Sequence, residues 1–139
     1  MRVALGTDEH TPLIEVITSA LTDGGHEVEV VADGDPWPDV GRRVGQAVAG
    51  GRAERGVVCC WTGTGVSMAA NRLPGVRAAL CTDAETARGA RRWNDANVLA
   101  LGLRLTSPEL AREMVDAFCS TPADEGEAEL LARLDREQS

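Results

Sequence analysis

The sequence predicts an α/β domain in which helices cover both faces of a parallel β-sheet. Segments typical of strands alternate with segments typical of helices along the chain, a pattern that favours parallel strands joined by helices. Near the middle, residues 57–60 form a buried strand that enters a glycine-containing turn and then a helix. A chain of 139 residues is long enough to bury a substantial core, and residues 1–139 are predicted to form a single domain.

The predicted elements follow from local signals along the chain. Thr11 and Pro12 are typical of a helix start, and the pairs Gly24-Gly25 and Gly50-Gly51 are typical of helix ends. The predicted strands are residues 2–6, 27–31, 57–60, 76–80 and 98–101. The predicted helices are residues 12–23, residues 39–49, a helix beginning near Val66 or Ser67, residues 83–93, residues 108–118 and an acidic amphipathic helix over about residues 125–136.

Residues 56–71 contain the strongest functional signal. A strand that enters a turn with Gly63 and Gly65 and then a helix leaves backbone N–H groups available to bind an anion or a developing oxyanion. Cys60 ends this strand, and the positive end of the helix favours the thiolate form, which can act as a nucleophile or a base. Cys59 is expected to point to the opposite face, and simple core packing is the alternative for both thiols.

The glycine motif by itself is weakly specific. It lacks the third glycine of a dinucleotide-binding fingerprint and the lysine of a Walker loop. The whole chain has no lysine, which excludes Schiff-base chemistry and P-loop phosphoryl transfer. We therefore predict no cofactor.

Composition restricts the partners that the chain can have. The net charge of -8 and the pI near 4.7 argue against binding to nucleic acid or to an acidic membrane surface. The chain has two histidines, and its four cysteines lack a C-x-x-C pair, so we predict no metal site and expect a reducing, cytoplasmic location. The amino terminus does not read as a signal peptide, and no apolar run approaches the length of a membrane span.

Polar residues and glycines follow the ends of several predicted strands. Ligands of open parallel sheets bind beyond the carboxyl ends of the strands, so these residues are candidates for a site. They are Asp8, Glu9 and His10 after the first strand, Thr62 to Ser67 after the third, Asp83 after the fourth, and Gly102 and Arg104 after the fifth. The alternative for Asp8 and Thr11 is helix capping, and for Arg104 it is a solvated side chain.

Three segments together resemble one enzyme family. Residues 60–71, 73–81 and 94–102 are similar to motifs of the type B ribose-5-phosphate isomerases, a family that includes the galactose-6-phosphate isomerase subunits. The resemblance extends from Arg2 to about Phe118. It implies a three-layer α/β/α, Rossmann-like sandwich with a five-stranded parallel sheet, and a homodimer or homotetramer with the active site at the subunit interface. The carboxy-terminal helix over about residues 125–136 is expected to pack on the partner subunit.

The resemblance also implies roles for individual residues. The cysteine that matches Cys60 is the base that moves a proton between C1 and C2 of an open-chain sugar, the turn that matches Thr62 to Ser67 holds the enediolate oxygens, and the asparagine that matches Asn94 assists. The candidate catalytic residues are therefore Cys60, Thr62 and His10. The candidate substrate-binding residues are Asp8, Glu9, Trp61, Gly63, Thr64, Gly65, Val66, Ser67, Trp93, Asn94 and Arg104.

Several positions depart from the family pattern. His10 lies one residue later than the family histidine, Trp93 replaces the ring-opening histidine, and Trp61 replaces a glycine. Residues 124–133 are rich in carboxylates where the family has two arginines, and carboxylates repel phosphate. We therefore predict an aldose–ketose isomerase with altered specificity for a small sugar or sugar-phosphate-like substrate, in which His10 or Glu9 substitutes for the ring-opening group.

Two alternatives from other functional classes stay open. The chain could be an enzyme of another reaction class that holds a non-sugar or unphosphorylated substrate against Trp61 and Trp93. It could also be a non-catalytic partner subunit that kept the fold and lost the chemistry. Retention of Cys60, of the turn and of Asn71 favours catalysis over the last of these hypotheses.

Overall fold

Five parallel strands form one sheet in the computed structural model, which describes residues 1–136. The strands are β1 (Arg2–Thr7), β2 (Glu27–Asp33), β3 (Arg55–Cys60), β4 (Ala78–Leu80) and β5 (Val98–Gly102). Their order across the sheet is β2-β1-β3-β5-β4, and each neighbouring pair is parallel. The chain builds one edge from β1 to β2 and then returns to build the other half from β3. Strands β1 and β3 therefore flank the switch point of the topology.

Helices cover both faces of this sheet. They are α1 (Pro12–Asp23), α2 (Trp37–Ala49), α3 (Thr64–Ala70), α4 (Ala84–Asn94), α5 (Pro108–Ser120) and α6 (Ala128–Arg136), with a 3-10 turn at Glu125–Glu127. Because side chains alternate along a strand, Val57 and Leu99 pack with Phe118 on the side of α1, α4 and α5, while Val58 and Ala100 pack on the side of α2 and α3. The structure confirms the predicted three-layer α/β/α sandwich.

Helices α2 and α3 are in close contact because α2 presents glycines to α3. A methyl group built on Gly41 would stand 2.5 Å from the Cβ atom of Ala69, and one built on Gly45 would stand 2.8 Å from a methyl carbon of Leu73. Gly41 has no room for a side chain because the methyl group would also meet backbone atoms of Val66 and Ala70, whereas at Gly45 the end of the Leu73 side chain would have to move. The packing therefore holds α3, which directly follows the Cys60 turn, tightly against α2.

The predicted starts of α2, α3 and α4 differ from the structure, and α4 begins at Ala84 rather than at Asp83, which is its N-cap residue. Helix α3 begins at Thr64 rather than at Val66 or Ser67, because Gly63 takes a left-handed conformation with φ 78 and turns the chain directly into the helix. Helix α2 begins at Trp37 rather than at residue 39, since proline fits the first turn of a helix, where its missing N–H group is not needed. Helix α1, in contrast, has the predicted bounds.

Strand β4 and the carboxy-terminal helix are also shorter than predicted. Strand β4 begins at Ala78, whose N–H and carbonyl groups both bind the side chain of Asn71, and not at residue 76. The segment predicted as one helix over about residues 125–136 begins as the 3-10 turn, in which the Asp124 carboxylate accepts a 3.0 Å hydrogen bond from the Gly126 N–H group. Helix α6 has no buried residue within the described chain.

None of the helices within residues 1–136 has the length and the apolar character that a membrane crossing requires.

Candidate active site

The carboxyl ends of all five strands lie at one edge of the sheet because the strands are parallel. Strand β1 ends at Thr7, next to Asp8, and the neighbouring strand β3 ends at Cys60. The amide N–H of Asp8 donates a 3.2 Å hydrogen bond to the carbonyl oxygen of Cys59. The structure thus places the first carboxylate candidate beside the candidate base, at the switch point where open sheets bind ligands.

The two adjacent cysteines face opposite layers of the molecule, as predicted. Cys59 is fully buried among the residues packed against α1, α4 and α5, and this burial raises the pKa of its thiol far above the ordinary value. A thiol in that position stays protonated and has no path to a substrate. Cys60 lies in the layer of α2 and α3, remains 5% exposed and sits at the edge of the sheet. Cys60 is therefore the cysteine that a ligand at this edge can reach.

The turn after Cys60 is held tightly against the end of β5. A methyl group built on Gly63 would stand 2.8 Å from the carbonyl carbon of Leu101, and one built on Gly102 would stand 2.8 Å from the carbonyl oxygen of Thr62. The N–H group of Leu103 donates a 2.9 Å hydrogen bond to the carbonyl oxygen of Cys60. This close backbone packing explains the glycines at both positions and makes the turn a rigid support.

Hydrogen-bonding groups for an anion lie along this turn and at the start of α3. The hydroxyl oxygens of Thr62 and Thr64 are 2.8 Å apart and hydrogen bonded to each other. The first N–H groups of a helix have no acceptor within the helix, which applies here to those of Thr64, Gly65 and Val66. The side chain of Val66 is completely buried in the core, so this residue can contribute only its backbone. The arrangement can stabilise negative charge on oxygen.

Asp8 has an unusual environment for a carboxylate. Its Oδ1 atom is covered and has no hydrogen-bond partner among residues 1–136, and the same is true of the Thr11 hydroxyl. Thr11 stands at the N-cap position of α1, yet its side chain makes no capping hydrogen bond. Desolvation by burial, with a contribution from the charge of Glu9, raises the pKa of Asp8. Helix capping therefore does not account for either residue, whereas a ligand hydroxyl would satisfy the orphaned oxygen.

His10 lies farther along the edge, over the end of β2. Its Nδ1 atom is 3.1 Å from both carboxylate oxygens of Asp33, and its Nε2 atom is 3.6 Å from Glu15. The hydrogen bond to Asp33 and the charge of that carboxylate raise the pKa of His10. Asp33 was not among the predicted site residues, although it ends the strand that neighbours β1. Along the edge of the sheet, His10 lies at the end of β2, Asp8 at the end of β1 and Cys60 at the end of β3. His10 and Cys60 are not in contact.

Trp93 and Asn94 lie on the far side of the sheet, at the end of α4. The ring of Trp93 packs over Gly89, where an added methyl group would come within 2.6 Å of it. Trp93, Asn94 and Leu80 line a groove of about 500 Å³, and the residues that line it do not include Cys60 or the turn. Within one chain, the structure therefore keeps these two candidates apart from the other candidate residues.

The remaining candidates are exposed or have structural roles. Trp61 is 54% exposed, and its carbonyl oxygen accepts a 3.0 Å hydrogen bond from the N–H group of the exposed Arg104. The Ser67 side chain is half-buried, and Glu9 is exposed. Asp83 caps α4, because its carboxylate accepts a 2.7 Å hydrogen bond from the Thr86 N–H group, which explains this residue without a ligand.

One residue beside the turn was missed by the sequence analysis. The indole ring of Trp37 lies against Gly65, and it also lines a groove of about 540 Å³ with Met68, Arg72 and other residues of α2 and α3. The signal that could have found Trp37 is its place after the carboxyl end of β2, where the same strand-end rule applies. Within residues 1–136, no three histidine, cysteine or acidic side chains are grouped in a way that could hold a metal ion.

Comparison with known proteins agrees with the fold. The chain is 37% identical over 133 residues to ribose-5-phosphate isomerase B of Escherichia coli K12, covering 90% of this chain and 87% of that protein. It is 33% identical over 132 residues to D-erythrulose-4-phosphate isomerase of Pectobacterium atrosepticum, covering 91% and 87%. The structure matches ribose-5-phosphate isomerase B of Clostridium thermocellum with a TM-score of 0.93 and 35% identity, covering 99% and 97% of the two chains.

A family-level comparison covers almost the whole chain. The sequence profile described as Ribose/Galactose Isomerase matches residues 3–135. This match includes every predicted catalytic and substrate-binding residue and agrees with the resemblance drawn from the three motifs. The chain belongs to the ribose/galactose isomerase family.

Proposed function

We propose that this protein is an aldose–ketose isomerase that moves a proton between C1 and C2 of an open-chain sugar through a cis-enediol. The observation that carries the proposal is the position of Cys60, a nearly buried thiol at the carboxyl edge of the sheet, directly before a rigid turn of hydrogen-bond donors and with Asp8 following the neighbouring strand. The names of the relatives from Escherichia coli and Pectobacterium atrosepticum support the same reaction class, because both proteins are named as sugar-phosphate isomerases.

The chemistry assigns Cys60 the role of the base. Its thiolate removes the proton from the carbon next to the carbonyl group, and the electron pair of that C–H bond forms the double bond of the enediolate while the carbonyl electrons move onto oxygen. The N–H groups of Thr64 and Gly65, together with the Thr62 hydroxyl, stabilise this negative oxygen. The thiol then returns its proton to the neighbouring carbon, and a proton passes from one oxygen to the other through Thr62.

Asp8 and His10 are assigned to the rest of the sugar. The covered Oδ1 atom of Asp8 accepts a hydrogen bond from a sugar hydroxyl, which supplies the partner that this atom lacks. His10, or Glu9 beside it, assists ring opening. In its protonated form, His10 would add positive charge at the edge, which Asp33 and Glu15 would partly neutralise.

The substrate we propose is a small sugar or sugar phosphate with a specificity that differs from that of ribose-5-phosphate isomerases. The exposed side chain of Arg104 is the arginine candidate for a phosphate. The exposed indoles of Trp61 and Trp93 favour a ligand with a flat or apolar face. The same indoles favour the second candidate function, an enzyme of another class that acts on an unphosphorylated or non-sugar substrate.

We further propose a homodimer or homotetramer in the cytoplasm, with the active site at the subunit interface. Asn94 and Trp93 line a groove that does not include Cys60 or the turn of the same chain, so in this arrangement they would serve the Cys60 turn of a second copy. Helix α6 carries Leu130 and Leu134, which are 58% and 47% exposed, and the groove lined by Trp37 offers these leucines an apolar surface on the partner. Substitution of Leu134 by glutamate should shift the mass measured by analytical ultracentrifugation toward the monomer.

The reaction is tested by proton NMR in heavy water. The purified protein is mixed with free and phosphorylated tetruloses, pentoses and hexoses, beside a Cys60→Ala protein. Deuterium incorporation at C1 or C2 that depends on Cys60 is the expected result, and the set of exchanging sugars shows whether phosphate is required. Absence of exchange across the whole panel would overturn the isomerase proposal. The second candidate would then be supported if non-sugar ligands, but not sugars, protected Cys60 from an alkylating reagent.

A further inference from the structure

Asp95 has a backbone conformation that is rare for residues with a side chain. It follows Asn94 directly, ends helix α4, and is the one non-glycine residue with a positive φ, at 44, in the described part of the chain. The left-handed region costs roughly 1–2 kcal/mol for most residues, and aspartate and asparagine tolerate it best. A conformation of this kind, next to a site candidate, requires compensating contacts.

Two arginines provide these contacts. Oδ1 of Asp95 accepts a 2.8 Å hydrogen bond from Arg91, and Oδ2 accepts a 3.0 Å hydrogen bond from Arg77. Arg77 also donates a 3.0 Å hydrogen bond through Nε to the backbone carbonyl oxygen of Asp95. The carboxylate thus bridges two cations that come from different parts of the chain, the loop before β4 and helix α4.

The arginines themselves are fixed in place. The Arg91 side chain is only 6% exposed, and its remaining hydrogen bonds go to the carbonyl oxygens of Thr121, at 3.0 Å, and Ala96, at 2.6 Å. A buried guanidinium is costly unless it is paired, so Arg91 has a strong requirement for Asp95. Arg77 is 18% exposed and also pairs with Asp135 of α6 at 3.3 Å. Through these two arginines, the turn at Asp95 is linked to the end of α5, to the loop before β4 and to α6.

Asn94, by contrast, has no hydrogen bond through its side chain within residues 1–136 and is exposed. Its orientation therefore depends on the backbone that follows. After Asp95, the N–H group of Ala96 donates a 3.0 Å hydrogen bond to the carbonyl oxygen of Ala90. The side-chain oxygen of Asn97 accepts a 2.8 Å hydrogen bond from the N–H group of Arg77. The chain is thus fixed immediately after Asn94 although Asn94 itself is free to meet a ligand.

We propose that Asp95 is a positioning residue that, by bridging Arg77 and Arg91, fixes the turn that presents Trp93 and Asn94 to the substrate. This inference rests on the proposed isomerase function for its catalytic consequence, whereas the structural part of it is independent of the reaction. Asp95 is not expected to contact the substrate. Its role is to reduce the range of positions open to the two residues before it.

The test compares two substitutions that keep the left-handed backbone accessible. Asp95→Gly allows the same φ but removes the bridge, and Asp95→Asn keeps both the φ and one oxygen acceptor. Asp23→Asn is the matched control, because Asp23 forms an exposed 3.3 Å ion pair with Arg112 and takes no part in the Asp95 hydrogen bonds to Arg77 and Arg91. All three proteins are assayed well below their measured Tm, so that loss of folded protein does not contribute to the rates.

The first readout does not require activity. In a Trp37→Phe/Trp61→Phe background, Trp93 is the single indole, and its fluorescence anisotropy reports the mobility of the turn. We expect Asp95→Gly to lower the anisotropy of Trp93, Asp95→Asn to lower it much less, and Asp23→Asn to leave it unchanged. Unchanged anisotropy in Asp95→Gly would overturn the proposal, even for a protein in which no isomerisation is detected.

The second readout is kinetic and uses the sugar that exchanges in heavy water. Because misplacement of a catalytic group by about 1 Å can cost on the order of 10²-fold, we expect kcat of Asp95→Gly to fall by roughly 10- to 100-fold, with a smaller change in KM. Asp95→Asn should recover most of this loss. A kcat for Asp95→Gly equal to that of the unaltered protein would overturn the positioning role. A wild-type protein without exchange would contradict the isomerase proposal and leave the anisotropy result to decide on Asp95.

Discussion

The indole ring of Trp37 lies directly against Gly65, so that a methyl group built on Gly65 would stand 2.9 Å from two carbon atoms of the ring. This contact joins the loop after β2 to the beginning of α3, where the proposed enediolate donors lie. Trp37 is still 45% exposed, because only one face of its ring is covered. The glycine at position 65 is therefore needed for the close approach of an aromatic side chain and not for a left-handed backbone.

Substitution of Gly65 by alanine should reduce activity without unfolding the protein. The added methyl group must displace either the Trp37 ring or the turn, and a small displacement of the donors lowers kcat by on the order of 10- to 100-fold. Alanine is favoured over glycine in a helix by roughly 0.5–1 kcal/mol, so stability should not fall in parallel. Steady-state kinetics and thermal denaturation measure the two effects separately.

A double substitution tests whether Trp37 is the cause. Trp37→Ala removes the ring, so the combined Gly65→Ala/Trp37→Ala protein should be less impaired than the two single effects predict, with a coupling energy of roughly 0.5–3 kcal/mol. Gly126→Ala is the control, since a methyl group there would meet Asp124 at an ordinary 3.4 Å. Strict additivity of the two changes would show that the ring does not constrain the turn.

The two adjacent cysteines should respond differently to the same change. Cys60→Ser is expected to lower the rate of proton exchange by about 10²–10⁴-fold, because serine is a much weaker base at neutral pH. Cys59→Ser places a hydroxyl in a fully buried position, so it should lower stability by roughly 1–3 kcal/mol and leave the rate per folded molecule nearly unchanged. Heavy-water NMR and chemical denaturation provide the measurements. A large loss of exchange in folded Cys59→Ser would argue against the assignment of Cys60 as the base.

Sequence reasoning was most successful where the signals are local. Helix α1 has the predicted bounds because Pro12 suits a first helical turn and Gly24 ends the helix. The opposite orientations of Cys59 and Cys60 follow from strand alternation alone. The parallel sheet follows from the alternation of strands and helices, and the strand-end rule correctly placed Asp8 and the turn after Cys60 at the same edge.

The features that were missed depend on tertiary contacts. The pairing of His10 with Asp33 requires β1 and β2 to be neighbours, which cannot be read from either residue. The contact of Trp37 with Gly65 requires the close packing of α2 on α3. Asn94 is separated from Cys60 because α4 returns the chain to the amino end of β5, whereas Cys60 stands at the carboxyl end of β3. The site assignments taken from the family resemblance stay predictions until the variants are measured.

The two histidines should titrate on opposite sides of their ordinary pKa. The hydrogen bond to Asp33 is the main cause that raises the pKa of His10 above its ordinary value. Burial, followed by the positive charges of the amino terminus and Arg55, lowers the pKa of His26. Because the folded pKa of His10 is raised, its pairing stabilises the fold below the ordinary histidine pKa, and this contribution is lost as the pH rises through the raised value.

Proton NMR of the imidazole C–H signals measures both histidines in one sample. Asp33→Asn should lower the pKa of His10 toward its ordinary value, while the His26 signal serves as an internal control and should not move. If His10 titrated at the same pH in both proteins, Asp33 would not be the group that holds its proton.

Substitution of Asp8 by asparagine should raise stability while it lowers activity. The folded-state pKa of Asp8 is raised, mainly by desolvation and also by Glu9, so ionisation of this carboxyl opposes folding. The resulting loss of stability is absent below the ordinary aspartate pKa and develops as the pH rises through the raised value. At pH 7 we therefore expect Asp8→Asn to raise Tm.

The pH dependence of that difference is the decisive measurement. Thermal denaturation of Asp8→Asn and wild-type protein between pH 3 and pH 8 should show the Tm difference shrinking toward zero at the acidic end, where Asp8 is protonated in both states. Asp23→Asn, at an exposed ion pair, should show no such gain at neutral pH. A carboxylate kept in a position that costs stability is expected at a binding site, because the ligand supplies the missing partner. A lower Tm for Asp8→Asn at pH 7 would mean that the ionised carboxyl already stabilises the fold. It would then argue against Oδ1 of Asp8 as the acceptor of a hydrogen bond from a sugar hydroxyl.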